Sequence, residues 1–269
     1  IFIPGTSIPF PDQFVKARID TTYTELSFFA NATYTFNDTF DLQGGIRFGR
    51  DEQHFSQEYS GLLAFPSVFT EEDSTNNKFQ YLLTGRYHPT EDSSFYARLA
   101  TGYRPGGPSA PTPAVPNANF TVGSDSLTSF ELGWKTVAWD DRLSFELAGF
   151  HTDWKDIIIQ TSYGSTQYFV NGGKAVSQGW EATLSLNPVD GLNVRGTIAY
   201  TDAHLTEDTA VLVAPGVPLG SDGDRLPFVA EWTSSLLADY TWQVFDTWTA
   251  SIGGSVNHVG ERKSNYSGR

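Results

Sequence analysis

Residues Tyr23–Phe36, YTELSFFANATYTF, carry the reading that decides the fold. Leu26, Phe28, Ala30, Ala32, Tyr34 and Phe36 form one apolar series. Between them stand Glu25, Ser27, Asn31, Thr33 and Thr35, all polar, with Phe29 as the exception. A period of two places successive side chains on opposite faces of a β-strand. Asn37-Asp38 then supplies turn chemistry. The chain returns with Leu42, Gly44, Ile46 and Phe48 on one face, and Gln43, Gly45 and Arg47 on the other.

The same alternation recurs along the chain. Phe79, Tyr81, Leu83, Gly85 and Tyr87 oppose Gln80, Thr84 and Arg86. Phe95, Ala97, Leu99 and Tyr103 oppose Tyr96, Arg98, Gly102 and Arg104. A third hairpin pairs Phe130, Leu132 and Trp134 with Leu143, Phe145 and Leu147; a fourth pairs Trp180, Ala182, Leu184 and Leu186 with Leu192, Val194, Ile198 and Tyr200. A fifth pairs Trp232, Leu236, Ala238 and Tyr240 with Trp248, Ala250, Ile252 and Val256. Tight turns are expected at Asn37–Phe40, His88–Asp92, Trp139–Arg142, Pro188–Gly191 and Gln243–Asp246, about 50 residues apart. Long loops are expected at Arg50–Asn77, Pro105–Thr128, Ile158–Lys174 and Ala203–Pro227. Short turns at one rim and long loops at the other describe an up-and-down antiparallel barrel.

Three features favour a transmembrane barrel over a soluble sandwich. The alternation persists for about ten residues per strand, beyond the five or six common in soluble sheets. Aromatic rings crowd the tight-turn ends, among them Tyr34, Phe36, Phe40, Tyr87, Phe95, Trp134, Trp139, Tyr240, Trp242 and Trp248. Such a belt belongs at a membrane interface. The polar face carries Arg47, Arg86, Arg98, Glu131, Lys135, Glu181 and Arg195. These charges are unfavourable in a dry core and suit a wet or plugged lumen.

The 39% apolar and 18% charged residues exclude disorder. Mean hydropathy is −0.30, and the longest apolar runs, such as Asp156–Ile159 and Ala210–Val213, are far too short for a membrane helix; membrane strands, of which only half the residues face lipid, are not excluded. With 17 basic against 31 acidic residues, the net charge of −14 argues against a nucleic-acid partner. Absence of cysteine removes disulfides and thiolate chemistry. Methionine is also absent, so Ile1 is expected to follow a further segment. The acidic loop residues Asp51, Glu52, Glu58, Glu71, Glu72 and Asp73 suggest either simple solubility or a rim that meets divalent cations and lipopolysaccharide.

No catalytic constellation is visible. His54, His88, His151, His204 and His258 are scattered without metal-ligand spacing. Gly102–Gly107 opens no helix and cannot cradle phosphate. Asp222-Gly223-Asp224 offers too few ligands for calcium and reads as a turn. No enzyme activity, cofactor or metal is expected.

From about Phe79 onward, a string of motifs in order resembles the barrel of TonB-dependent outer-membrane receptors. They are FYARLATGYRPGG at Phe95–Gly107, SFELGWK at Ser129–Lys135, DWKDIIIQ at Asp153–Gln160, NGGKAVSQGWEATL at Asn171–Leu184, PVDGL at Pro188–Leu192, AYTDAHL at Ala199–Leu205 and DRLPFVAEWT at Asp224–Thr233. The resemblance implies an outer-membrane barrel of 22 strands filled by an N-terminal plug. It also implies uptake of a scarce large ligand, such as a siderophore or other nutrient, energised by the TonB–ExbB–ExbD complex. Neither a plug, a TonB box nor a closing aromatic strand is present in the sequence. The chain is therefore expected to be an internal stretch of about ten strands. Residues 1–22 are expected to lead into the first strand from an extracellular loop, 23–259 to form five hairpins, and 260–269 to begin a further extracellular loop.

On this reading the tight turns face the periplasm and the long loops form a ligand mouth. Tyr103, Arg104, Tyr163, Tyr168, Phe169 and Asn171 are its candidate ligand contacts. Arg47, Arg86, Arg98, Glu131, Lys135, Glu181 and Arg195 are the candidate lumen and plug contacts. Two other readings are a passive or structural barrel subunit of a larger assembly, and a secreted β-rich glycan-binding protein or enzyme.

Overall fold

A computed structural model describes residues 16–61, 68–108, 121–163, 166–209 and 220–266. The described residues contain strands and no helix. In chain order these are β1 (Lys16–Asn37), β2 (Phe40–Ser60), β3 (Val68–Thr90), β4 (Ser93–Arg104), β5 (Gly107–Pro108), β6 (Thr121–Val122) and β7 (Asp125–Ala138). There follow β8 (Leu143–Lys155), β9 (Ile158–Tyr163), β10 (Thr166–Asn171), β11 (Lys174–Leu186), β12 (Leu192–Leu205), β13 (Trp232–Phe245) and β14 (Trp248–Val259). Ten of them form one antiparallel sheet in the order β1-β2-β3-β4-β7-β8-β11-β12-β13-β14. Every neighbour pair is consecutive along the meander, so five hairpins lie side by side.

Four of the five tight turns fall where the sequence places them; the fifth, expected at Gln243–Asp246, lies at Asp246-Thr247 because β13 stays paired with β14 up to Phe245. At the first, Asn37 Oδ1 accepts from the Thr39 amide at 2.9 Å and the Thr39 hydroxyl at 2.8 Å. This side-chain bond closes the turn without a glycine. At the β11–β12 turn, Gly191 sits at φ +85°, and a Cβ there would strike the Thr241 carbonyl. The β7–β8 turn is unusual: Trp139, Asp140 and Asp141 all adopt positive φ.

The two faces differ as the alternation requires. One face presents Leu132, Leu184, Leu236, Ile252 and Val256 to the exterior, with Leu132 68% and Leu184 39% exposed. An apolar face of this extent is stable only in lipid. On β12 it runs from Leu192 to Tyr200. Eight steps of about 3.4 Å give roughly 27 Å along the strand, or about 21 Å along the membrane normal at a 40° tilt. That matches the height of an outer-membrane apolar band.

Aromatic rings mark both borders of the band. At the turn end, Tyr34 meets Phe36 at 4.7 Å between centroids, and Trp134 lies between Phe95 (5.9 Å) and Phe145 (5.3 Å). At the opposite border Trp232 meets Trp180 (5.8 Å) and Tyr200 (5.0 Å). The sequence shows the first belt through its proximity to turns. The second becomes apparent only when β11, β12 and β13 align.

The long loops need correction. Arg50–Asn77 is not a loop for most of its length: β2 continues to Ser60 and β3 begins at Val68, paired throughout. Beyond the membrane both faces of these strands are wet, so the apolar period that betrays a strand disappears while backbone pairing persists. Similarly, Ile158–Lys174 contains the β9–β10 hairpin. Pro105–Thr128 contains the β5–β6 pair and the start of β7.

The main buried apolar cluster among the described residues is small and lies at the end opposite the tight turns. Ile157, Ala175, Ala203, Leu205 and Leu226 pack together, with Trp154, Val229 and Tyr266 against them. Burial there pushes the Tyr266 phenol up to about 12, with Asp224 adding to the effect.

The face assignment predicts an asymmetry between neighbours. Leu184→Arg should destabilise the folded barrel by roughly 2–4 kcal/mol in bilayers, and Thr183→Arg, on the opposite face, by much less. Unfolding titrations of both variants in lipid vesicles check this; equal losses would contradict the assignment. A second prediction concerns the β2–β3 extension. His54 Nδ1 lies 2.7 Å from Asp73, and its Nε2 lies 3.6 Å from Glu71. Hydrogen bonding to Asp73 raises its pKa above the usual 6.5. Because the folded value is the higher one, the clamp is fully present below about 6.5 and is lost as pH rises through the folded value. Hydrogen exchange in this extension, corrected for intrinsic rates, should therefore accelerate on alkalinisation, and His54→Gln should remove that pH dependence.

Candidate functional site

The candidate mouth is shaped where β4 leaves its neighbour β3. The β3–β4 ladder is paired up to Leu82 and Ala100. The Tyr81 amide then donates to the Thr101 hydroxyl (2.9 Å) instead of a backbone carbonyl. Beyond this break Tyr103 departs from its apolar series and turns to the polar face. Its hydroxyl donates to Asp51 at 3.3 Å. Asp51 is fully buried and also accepts from Asn76 Nδ2 at 2.7 Å. Burial, reinforced by Asp51, raises the pKa of Tyr103 and likewise of Tyr23. Both phenols therefore remain neutral hydrogen-bond donors at the mouth.

Arg104 is held rather than free. Its guanidinium donates to Asp125 Oδ2 through Nε at 2.8 Å and through Nη2 in a still shorter contact. Its own amide donates to Asp125 Oδ1 at 3.1 Å. Nη2 also reaches the Ile158 carbonyl (3.2 Å), while the Ile158 amide donates to Asp125 (3.2 Å). The guanidinium carbon lies 4.8 Å from the centre of the Trp154 ring. Asp125 is 1% exposed, so the pair is desolvated on its acidic side.

A second clamp lies beside the first. Asn171 Oδ1 accepts from the Gly123 amide (2.7 Å). Its Nδ2 donates to the carbonyls of Gly123 (2.9 Å) and Asp156 (2.8 Å). The two clamps join the β4–β7 and β8–β11 connections into one ledge. Phe169 is 45% exposed on β10. Tyr163 and Tyr168 are on the same hairpin, and their side chains lie outside the described residues. The partners Asp125 and Trp154 are not apparent as a motif. Only strand register sets Asp125 opposite Arg104 and Trp154 opposite Leu127.

The polar-face candidates divide into two groups. Arg47 pairs with Glu25, Arg86 with Asp41 (2.8 Å) and Lys135 with Glu146 (3.0 Å). Glu131 accepts from the Tyr96 hydroxyl at 2.7 Å. Arg98 stands directly across from Glu131. Arg98, Glu181 and Arg195 are exposed, and among the described residues they make no ion pair.

Comparison with known proteins agrees with this architecture. A family model described as "TonB dependent receptor-like, beta-barrel" matches residues 3–269. The pesticin receptor of Yersinia enterocolitica is 27% identical over 214 residues, covering 79% of this chain and 29% of the receptor. The metal-pseudopaline receptor CntO of Pseudomonas aeruginosa is 25% identical over 236 residues, covering 86% and 30%. The crystal structure of the ferric yersiniabactin uptake receptor FyuA from Yersinia pestis superposes with a TM-score of 0.77 at 22% identity, covering 94% of this chain and 36% of FyuA. The chain thus spans about a third of the length of these proteins. With a matching family model over nearly its whole length and a ten-stranded meander, the chain belongs to the β-barrel family of TonB-dependent receptors of the bacterial outer membrane.

Proposed function

We propose that this chain forms part of the wall and outer mouth of an energised outer-membrane importer. The observation that carries this is the polar face. Arg98, Glu181 and Arg195 project from mid-sheet, away from lipid, without an ion pair among the described residues. Charges in a lumen require polar partners or water. A plug filling the barrel supplies such partners, and these three side chains, with Glu131, are its natural contacts. Arg47, Arg86 and Lys135 are already engaged within the wall and serve mainly to hold strands together.

The plug is the element through which TonB–ExbB–ExbD would transmit energy. Two of the similar proteins are described by metal-pseudopaline and ferric yersiniabactin. A metal chelate is accordingly the ligand class we assign. The mouth offers the neutral donors Tyr23 and Tyr103, the exposed ring of Phe169 and a pre-organised ledge. On this reading Arg104 and Asn171 act by positioning that ledge. The apolar face contacts outer-membrane lipid and lipopolysaccharide.

In cells producing the full-length receptor, uptake of an iron-loaded chelate that supports growth should depend on TonB. Reversing the lumen charges with Arg98→Glu and Glu181→Arg together should lower uptake at least tenfold. Surface binding should remain within about twofold. Uptake that persists without TonB would instead identify a passive barrel. For the ledge, Asp125→Ala leaves Arg104 without its partner and should cost about 2 kcal/mol locally. Hydrogen exchange at residues 104–108 and 158–160 should then accelerate roughly 30-fold, with weaker chelate binding and unchanged barrel assembly.

A further inference from the structure

Five non-glycine residues among those described take a positive φ: Trp139, Asp140, Asp141, Asp156 and Phe228. Aspartate tolerates that conformation, because its short side chain can bond locally; a bulky ring does not. Trp139 belongs to the β7–β8 tight turn. Phe228 stands at the other end of the sheet, in the connection between β12 and β13. Pro227 and Phe228 form a turn there, with φ +64° at Phe228. Proline suits the first central position of such a turn, and a positive φ at the second is normally met by glycine. Here phenylalanine occupies the glycine position.

Strain of this kind is held in place by surrounding structure and gathers at ligand clamps and switches. The ring itself gains little from the described chain, since Phe228 is 68% exposed. Its neighbours do the anchoring. Leu226 is buried against Ile157, Ala203 and Leu205, and Val229 packs on the same cluster. The Leu226 amide donates to the Ala203 carbonyl (2.8 Å), and the Phe228 amide donates to the Lys263 carbonyl (2.7 Å). Backbone and flanking residues thus fix the turn, while the ring stays uncovered. Nor does the membrane border need it. Trp180, Tyr200 and Trp232 already form that border from regular strand positions, without positive φ.

The segment that accepts the Phe228 amide carries charge. Glu261, Arg262 and Lys263 are exposed, and none makes an ion pair among the described residues. Arg262-Lys263 is the one pair of consecutive basic residues in a sequence of net charge −14. Arg225, close to the turn in sequence, is already engaged by Glu231 at 3.1 Å. The segment continues to Tyr266, which packs on the Leu205 cluster and also on Ile159 and Val170 of the β9–β10 hairpin. One strap therefore ties the Phe228 turn to the hairpin beside the ledge. An aromatic face favours a second ring, and paired cations favour anionic oxygens.

We infer that Phe228, Arg262 and Lys263 select one class of chelate: an anionic complex whose metal-binding oxygens are carried on aromatic rings. Phe228 meets a ring of the ligand, and Arg262 and Lys263 meet its negative charge. The inference rests on the metal-chelate reading given above and narrows it. An aliphatic chelate would leave the strained ring unused, and a cationic one would be repelled by the basic pair.

The test is equilibrium dialysis of the full-length receptor in detergent against two iron complexes. Ferric tris-catecholate is anionic and aromatic; ferric citrate is anionic and aliphatic. Wild type should bind the tris-catecholate at least tenfold more tightly. Phe228→Gly should lower that affinity at least tenfold and so erase the preference. Its thermal unfolding midpoint should hold or rise, because glycine suits the turn. Phe228→Tyr, which keeps the ring, should stay within about twofold of wild type. Arg262→Gln with Lys263→Gln should weaken tris-catecholate binding at least fivefold. Undiminished affinity in Phe228→Gly would overturn the contact. So would a Phe228→Gly receptor whose unfolding midpoint falls together with its affinity, since the ring would then be a packing or membrane anchor. Equal wild-type affinity for the two complexes would overturn the selection of aromatic chelates and leave the chelate reading standing. Binding of neither complex would overturn both.

Discussion

A strand in hydrocarbon must give every backbone N–H and C=O to a neighbouring strand, because no water is available to take them. The rest of this molecule depends on that constraint. It requires an unbroken antiparallel ladder across the membrane, and the sheet supplies one from β1 to β14. It also divides the side chains into two sets with different solvents. The apolar set meets lipid, and the polar set meets a lumen that admits charge. Hydrophobic burial, which builds a central core in soluble domains, here takes place outside the sheet and is left to the membrane. The conventional core among the described residues is correspondingly slight, consisting mainly of the clusters around Leu205 and around Ile159 and Val170 at the end opposite the tight turns.

Where the membrane ends, the constraint relaxes and function becomes possible. The ladder between β3 and β4 stops at Ala100, within two residues of the border set by Leu99. The freed chain carries Tyr103 to Asp51 and Arg104 to Asp125. These contacts are polar, partly buried and specific, unlike the interchangeable apolar contacts of the lipid face. This end of the sheet is thus an ordered polar ledge resting on a generic scaffold.

The charges of the lumen show a similar division. Arg47, Arg86 and Lys135 are matched by acids on adjacent strands, which gives the wall register without exposing free charge. Arg98, Glu181 and Arg195 are exposed on the same face and make no ion pair among the described residues.

Much of the fold was legible in the sequence, because a period of two and polar turn residues are local signals. Tyr23–Phe36 alone shows which side chains face lipid, and Asn37 shows where the chain turns. The resemblance of the SFELGWK and GWEATL segments to known barrels added the family. What sequence could not convey is non-local. Nothing near Arg104 announces Asp125, since the two are brought together only by strand register. The extensions of β2 and β3 were hidden because both faces are wet and the period vanishes while the hydrogen bonds remain. Tyr103 obeys its strand's parity in sequence and departs from it in space, because the ladder breaks two residues earlier. Local patterning therefore determined the strands and their faces; register between distant segments, which only the folded sheet sets, decided the polar ledge and the pairing of charges.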